Sequence, residues 1–139
     1  MKRYLEMTNL PFKVGQVLTV TGVPNRDGDR FSINFGHSEG DVALHVDVRF
    51  NFVKSCREVV FNSCHSGTWH KDYQLAKCFP FNYGENFKVS ITFTREQFLI
   101  TLPDESEYYF PNRHGSLQYN DIFFWEKVKI HGVEIIDLC

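Results

Sequence analysis

Four polar side chains of different chemistry alternate along one short stretch. In "ALHVDVRFNF", residues 43–52, His45, Asp47, Arg49 and Asn51 interleave with Leu44, Val46, Val48 and Phe50, and Val42 precedes them in the same apolar register. Successive strand residues point to opposite faces, so the pattern predicts a half-buried strand with Val42, Leu44, Val46, Val48 and Phe50 inward. The other face carries a base, an acid and a cation. A neutral imidazole both donates and accepts, a carboxylate accepts, and a guanidinium only donates.

The following segments extend the set. "REVVFNS" (57–63) places Val60 and Asn62 on one face and Val59 and Phe61 on the other. "GTWHKDYQ" (67–74) then brings Trp69, Asp72 and Gln74. An indole plane surrounded by donors and acceptors suits a pyranose, which has one C–H face and a rim of hydroxyls. Arg49 between Asp47 and Asp72 would be fixed by charge-assisted bonds and present its remaining N–H groups to a hydroxyl.

Plainer chemistries compete. A His/Asp/Arg row also reads as a solvated face of surface ion pairs, which contribute only about 0–1 kcal/mol. Cys64, His65, His70, Asp72 and Cys78 match no common zinc spacing. Asp47 and Asp72 as a glycosidase pair would both be kept ionised by an intervening arginine, leaving no general acid. No catalytic residue, metal or cofactor is expected.

Strands must position these groups. Segments 16–23, 30–36, 41–50, 57–63, 86–94, 97–102, 107–112 and 127–136 are rich in Val, Ile, Phe, Tyr and Thr, with turn residues between them. Residues 115–121 read as a short helical turn, "FPNRHG" (110–115) as a structural Pro-Asn turn, and Phe31, Phe35, Phe87, Phe93 and Phe98 as core. The class is all-β, a sandwich or jelly roll. The 139 residues make one domain, 1–139, with 42% hydrophobic residues, enough for a packed core. The net charge is −2 with scattered Lys and Arg, which argues against nucleic acid, and no apolar run approaches a membrane span. The start "MKRYLEMTNLPF" lacks a signal-peptide pattern, and Cys56, Cys64, Cys78 and Cys139 form no disulfide framework, so free thiols in a reducing compartment are expected.

"LHVDVRFN", "VVFNS", "GTWHKDYQ" and "FPFNYGENFKVSITFTREQFLITLPDESEYYFPNRHG" together resemble galectins, from "LPFKVGQVLTVTG" to the closing "VKIHGVEI". The resemblance implies a jelly-roll β-sandwich of two antiparallel sheets that binds β-galactoside glycans on glycoproteins or glycolipids. It implies a prototype, homodimeric form, located in the cytoplasm and outside the cell by signal-independent export. By the same resemblance His45 and Arg49 bond the axial 4-hydroxyl of galactose, Arg49 also the ring oxygen. Asn62 holds the 6-hydroxyl, Trp69 stacks, and Val60 flanks. The sequence departs from the family's H-x-N-x-R and W-G-x-E-x-R patterns: Asp47 replaces Asn, Val48 Pro, His70 Gly, Asp72 Glu and Gln74 Arg. These changes leave open a galectin-fold structural or protein-binding module with altered sugar binding, the route taken by lens members of the family.

Overall fold

The computed structural model describes residues 3–138, with side chains from Leu5 onward. Every regular element among the described residues is a strand, and all pair antiparallel. Numbered in chain order, one sheet runs β1 (Arg3–Met7), β13 (Asp121–Glu126), β4 (Arg30–Ser38), β5 (Asp41–Phe52), β6 (Ser55–His65), β7 (Thr68–Trp69), with β8 (Gln74–Leu75) also on β6. The second runs β11 (Glu107–Pro111), β10 (Gln97–Thr101), β9 (Phe87–Phe93), β3 (Gln16–Pro24), β14 (Val128–Asp137). A short ladder joins β2 (Phe12–Lys13) and β12 (Gln118–Tyr119). This is the jelly-roll sandwich.

Alternation drives the assembly. In β3, Leu18, Val20 and Gly22 are buried between half-exposed neighbours; in β9, Phe87, Val89, Ile91 and Phe93 do the same. Between the sheets, Phe12, Phe31, Phe35, Phe81, Phe87, Phe93, Phe98 and Tyr119 pack in edge-on, tilted and stacked contacts. Burying each such ring is worth about 1.5–3 kcal/mol.

Two expectations are corrected. Residues 115–121 form no helical turn: Tyr119 lies in β12 and enters the core. The strand β13, "DIFFWE", carries no alternation because both its faces are covered, Ile122 and Phe124 by the main core and Phe123 and Trp125 by a second cluster. Val42 belongs to that second cluster, not to the main core. The β4–β5 and β5–β6 registers shift around residues 42–45, so Ala43 and Leu44 both enter the core and Val42 turns to the outer face. Gly36 permits this bulge, since a Cβ there would lie 2.1 Å from the Asp41 carbonyl oxygen.

Candidate functional site

The register places the polar residues in cross-strand rows on the outer face. Phe123, Asn34, His45 and Asn62 stand opposite one another across β13, β4, β5 and β6. The next row is Trp125, Ser32, Asp47, Val60 and Leu75, and then come Arg30, Arg49 and Glu58. Trp69 pairs with Cys64 and leans inward, its ring centroid 4.5 Å from that of His45.

Asp47 is fully buried and anchors the cations. Arg30 donates to both carboxylate oxygens, Nε to Oδ1 at 3.1 Å and Nη2 to Oδ2 at 2.9 Å. Arg49 Nε donates to Oδ2 at 2.8 Å. Burial opposes the charge on Asp47, but His45, in the protonated form it takes at the acidity where Asp47 titrates, and the two guanidiniums outweigh it and hold the carboxyl at about 2. Arg49 Nη1 donates to Ser55 Oγ at 3.0 Å. Its side chain is 26% exposed, and its Nη2 has no protein acceptor among the described residues, so that N–H pair is presented outward.

Asn34 fixes the tautomer of His45. Its Nδ2 donates to Ser32 Oγ and to the Phe123 carbonyl, so its Oδ1 faces His45 Nδ1 and accepts from it. Burial holds the His45 pKa below 6.5, and the ring is neutral. Nε2 is then a bare acceptor, 3.6 Å from Asp47 Oδ2, itself an acceptor. A ligand hydroxyl can satisfy Nε2; Asp47 cannot. In this structure Trp69 covers the ring, which is only 4% exposed.

Asn62 is positioned by its neighbours: Nδ2 donates to the His70 carbonyl at 2.9 Å, and Oδ1 accepts from the Ser63 amide at 2.8 Å. Arg113 adds a longer contact to Oδ1 at 3.4 Å, binds Ser63 Oγ at 3.0 Å and donates to the Asp72 carbonyl. Arg113 was hidden inside "FPNRHG". Asn112 there is structural, donating to the Arg95 and Ser116 carbonyls, but Arg113 crosses to the site from 51 residues away, beyond any local pattern. Arg30 was hidden likewise, 17 residues from Asp47.

Asp72 and Gln74 depart from the expected arrangement. Among the described residues Asp72 forms no ion pair with Arg49, whose anion is Asp47; the 70–73 loop is instead tied through Arg113 and the Asp72 amide, which donates to His70 Nδ1. Gln74 pairs with Phe61, so it shares the inward face of that strand, and Leu75 shares the outer face with Val60 and Asn62. Three or more His, Cys, Asp or Glu side chains nowhere converge in metal-holding geometry among the described residues.

The galactoside-binding lectin family matches residues 3–135. The chain belongs to the galectin family. A galectin relative, the beta-galactoside-binding lectin of Electrophorus electricus, is 44% identical over 126 residues, 91% of this chain and 92% of its own. The galactose-binding lectin l-1 of Anguilla japonica is 37% identical over 132 residues, 95% of this chain and 92% of its own. Among solved galectins, Dario rerio galectin-1-L2 superposes with TM-score 0.90 at 47% identity, covering 94% of this chain and 98% of that one. Lactose- and MES-liganded congerin II superposes with TM-score 0.91 at 36% identity, covering 97% and 100%.

Proposed function

We propose that this galectin binds β-galactosides on the outer face of its seven-stranded sheet and cross-links glycoproteins or glycolipids as a homodimer. The observation that carries the reading is the register that sets His45 opposite Asn62 with Arg49 and Trp69 on the same face. His45 Nε2 accepts the proton of the axial 4-hydroxyl. Arg49 Nη2 donates to that hydroxyl and to the ring oxygen. Asn62 meets the 6-hydroxyl, Val60 flanks it, and Trp69 lies against the C–H face. Asp47 acts through Arg49 rather than on the sugar, since no part of it reaches solvent. Free thiols at Cys56, Cys64 and Cys78 support residence in a reducing compartment, with signal-independent export to reach surface glycans.

The test is lactose titration followed by tryptophan fluorescence. Both tryptophans of the chain, Trp69 and Trp125, stand on this face, so the whole indole signal reports on the site. Saturation with Kd between tens of µM and about 1 mM, roughly 4–6 kcal/mol, is expected for so shallow a site. The indole of Trp69 resting on His45 favours a second reading, an interaction module of galectin fold with its sugar site closed; no saturable change up to tens of millimolar lactose would favour it over the first.

A further inference from the structure

Trp125 is a feature for which the galactose contacts above have no use. It stands on β13, two strands from His45, yet its ring reaches over Ser32 to within 5.8 Å of the His45 ring and 6.3 Å of Trp69, edge-on to the latter. Its indole N–H is buried and has no acceptor among the described residues. Among the described residues it is the one buried side-chain polar atom left unpaired. An indole N–H normally finds a partner when buried, and an unmet one costs the fold its desolvation. The orphan donor therefore sits in the cluster that also holds His45 Nε2, an acceptor that faces the Asp47 carboxylate at 3.6 Å.

One hydroxyl can serve both, because it has a proton to give and two lone pairs to offer. Trp69 covers this corner from a strand of only two residues at the sheet edge, with the turn at Ser66 and Gly67 before it. Its ring can turn about the side-chain bonds without breaking the ladder. We propose that Trp125 is a second sugar-contacting tryptophan: when Trp69 turns away from His45, the Trp125 indole N–H donates to a hydroxyl of the bound galactoside at the point where His45 accepts. The inference rests on the lectin reading above, and its ligand class is galactosides with a free hydroxyl at that corner.

The substitution Trp125→Phe removes the donor and keeps most of the ring. Calorimetry with lactose should show affinity about tenfold weaker than in the unsubstituted protein, one hydrogen bond's worth. The thermal midpoint of the free protein should stay the same or rise, because a buried unpaired group has gone. A merely structural tryptophan would lower the midpoint. Indole ¹⁵N–¹H spectra of the unsubstituted protein give an independent readout with two resonances: on adding lactose, that of Trp125 should move downfield and exchange more slowly with water. Saturable lactose binding that is unchanged by Trp125→Phe, or a Trp125 resonance that stays in place while that of Trp69 moves, overturns this inference alone. No lactose binding by the unsubstituted protein overturns the lectin reading and this inference with it.

Discussion

Asp47 shows how one buried carboxylate can organise a site that it does not touch. A sequence reading sees an acid beside a neutral sugar and finds it odd. The structure resolves the oddity: two arginines converge on it, and Arg49 is oriented as a result. Asp47→Asn leaves Arg30, 9% exposed, and Arg49 without their anion. Removing one partner of a buried pair costs about 3–5 kcal/mol. Urea unfolding of this variant should show a loss near the lower bound, since Arg49 is partly solvated, together with weaker lactose binding. A loss under about 1 kcal/mol would mean that the arginines find other partners. Asp47 also sets an acid limit. Its folded pKa of about 2 lies below the ordinary 3.8, so its stabilisation is complete above 3.8 and lost as pH falls towards 2. His45 acts earlier. Its pKa is held below 6.5, and only the neutral ring accepts a hydroxyl proton at Nε2. Lactose affinity should therefore be flat above about pH 6.5 and decline as pH falls through the lowered value. Calorimetry in acid steps below pH 7.5, with the His45 ring followed by NMR, measures this; affinity that persists after the ring has protonated, with the fold intact, would assign the hydroxyl to another acceptor.

At the scale of strands, one residue of register decides what a side chain can do. Gln74 faces with Phe61, and Leu75 faces with Val60 and the site. Gln74→Ala should leave lactose affinity within about twofold, whereas Leu75→Arg, which puts a cation on the outer face, should change it measurably in the same titration. The opposite pattern would show β8 slipped by one residue, since such a slip exchanges faces throughout a strand. The same logic explains what was legible in advance. The eight segments read from the sequence end within two residues of the observed strands, because polar and apolar residues alternate in most of them, even in β4 and β5, whose polar face is itself covered. β13 was invisible because it is dry on both. Alternation places Val42 on the inner face because it cannot register a bulge, and the spacing from Trp69 aligns Gln74 with the family's arginine only if the intervening loop's path is ignored. His45, Arg49 and Asn62 were legible because they sit on long, regular strands. Arg30, Arg113 and Trp125 were not, because they reach the site from strands and loops distant in the chain.

At the scale of the molecule, the open edges bear on assembly. β1 ends the seven-stranded sheet and β14 ends the five-stranded one. Leu5 of β1 lines one hollow with Val128 and Ile130 of β14, so both edges lie on the same side of the sandwich. The exposed apolar residues there are Leu5, Ile136 and Leu138, at 38%, 49% and 55%; Val133 and Ile135 pack on the core. Unpaired edges carrying apolar side chains favour pairing with another copy, and a two-fold axis lets one surface satisfy itself and extend both sheets. The sugar site lies across the sheet from this edge, Asn62 being four strands from β1, roughly 19 Å at the usual strand spacing. The two sites of such a dimer would face apart, the arrangement that turns weak single sites into avidity between surfaces. Sedimentation at micromolar concentration with reductant should give about twice 16.3 kDa. Ile136→Glu should yield the monomer, keep the lactose affinity per site and lose agglutination of galactoside-coated beads. A monomer in the unsubstituted protein would refute the pairing, and a dimer that survives Ile136→Glu would place it away from β14.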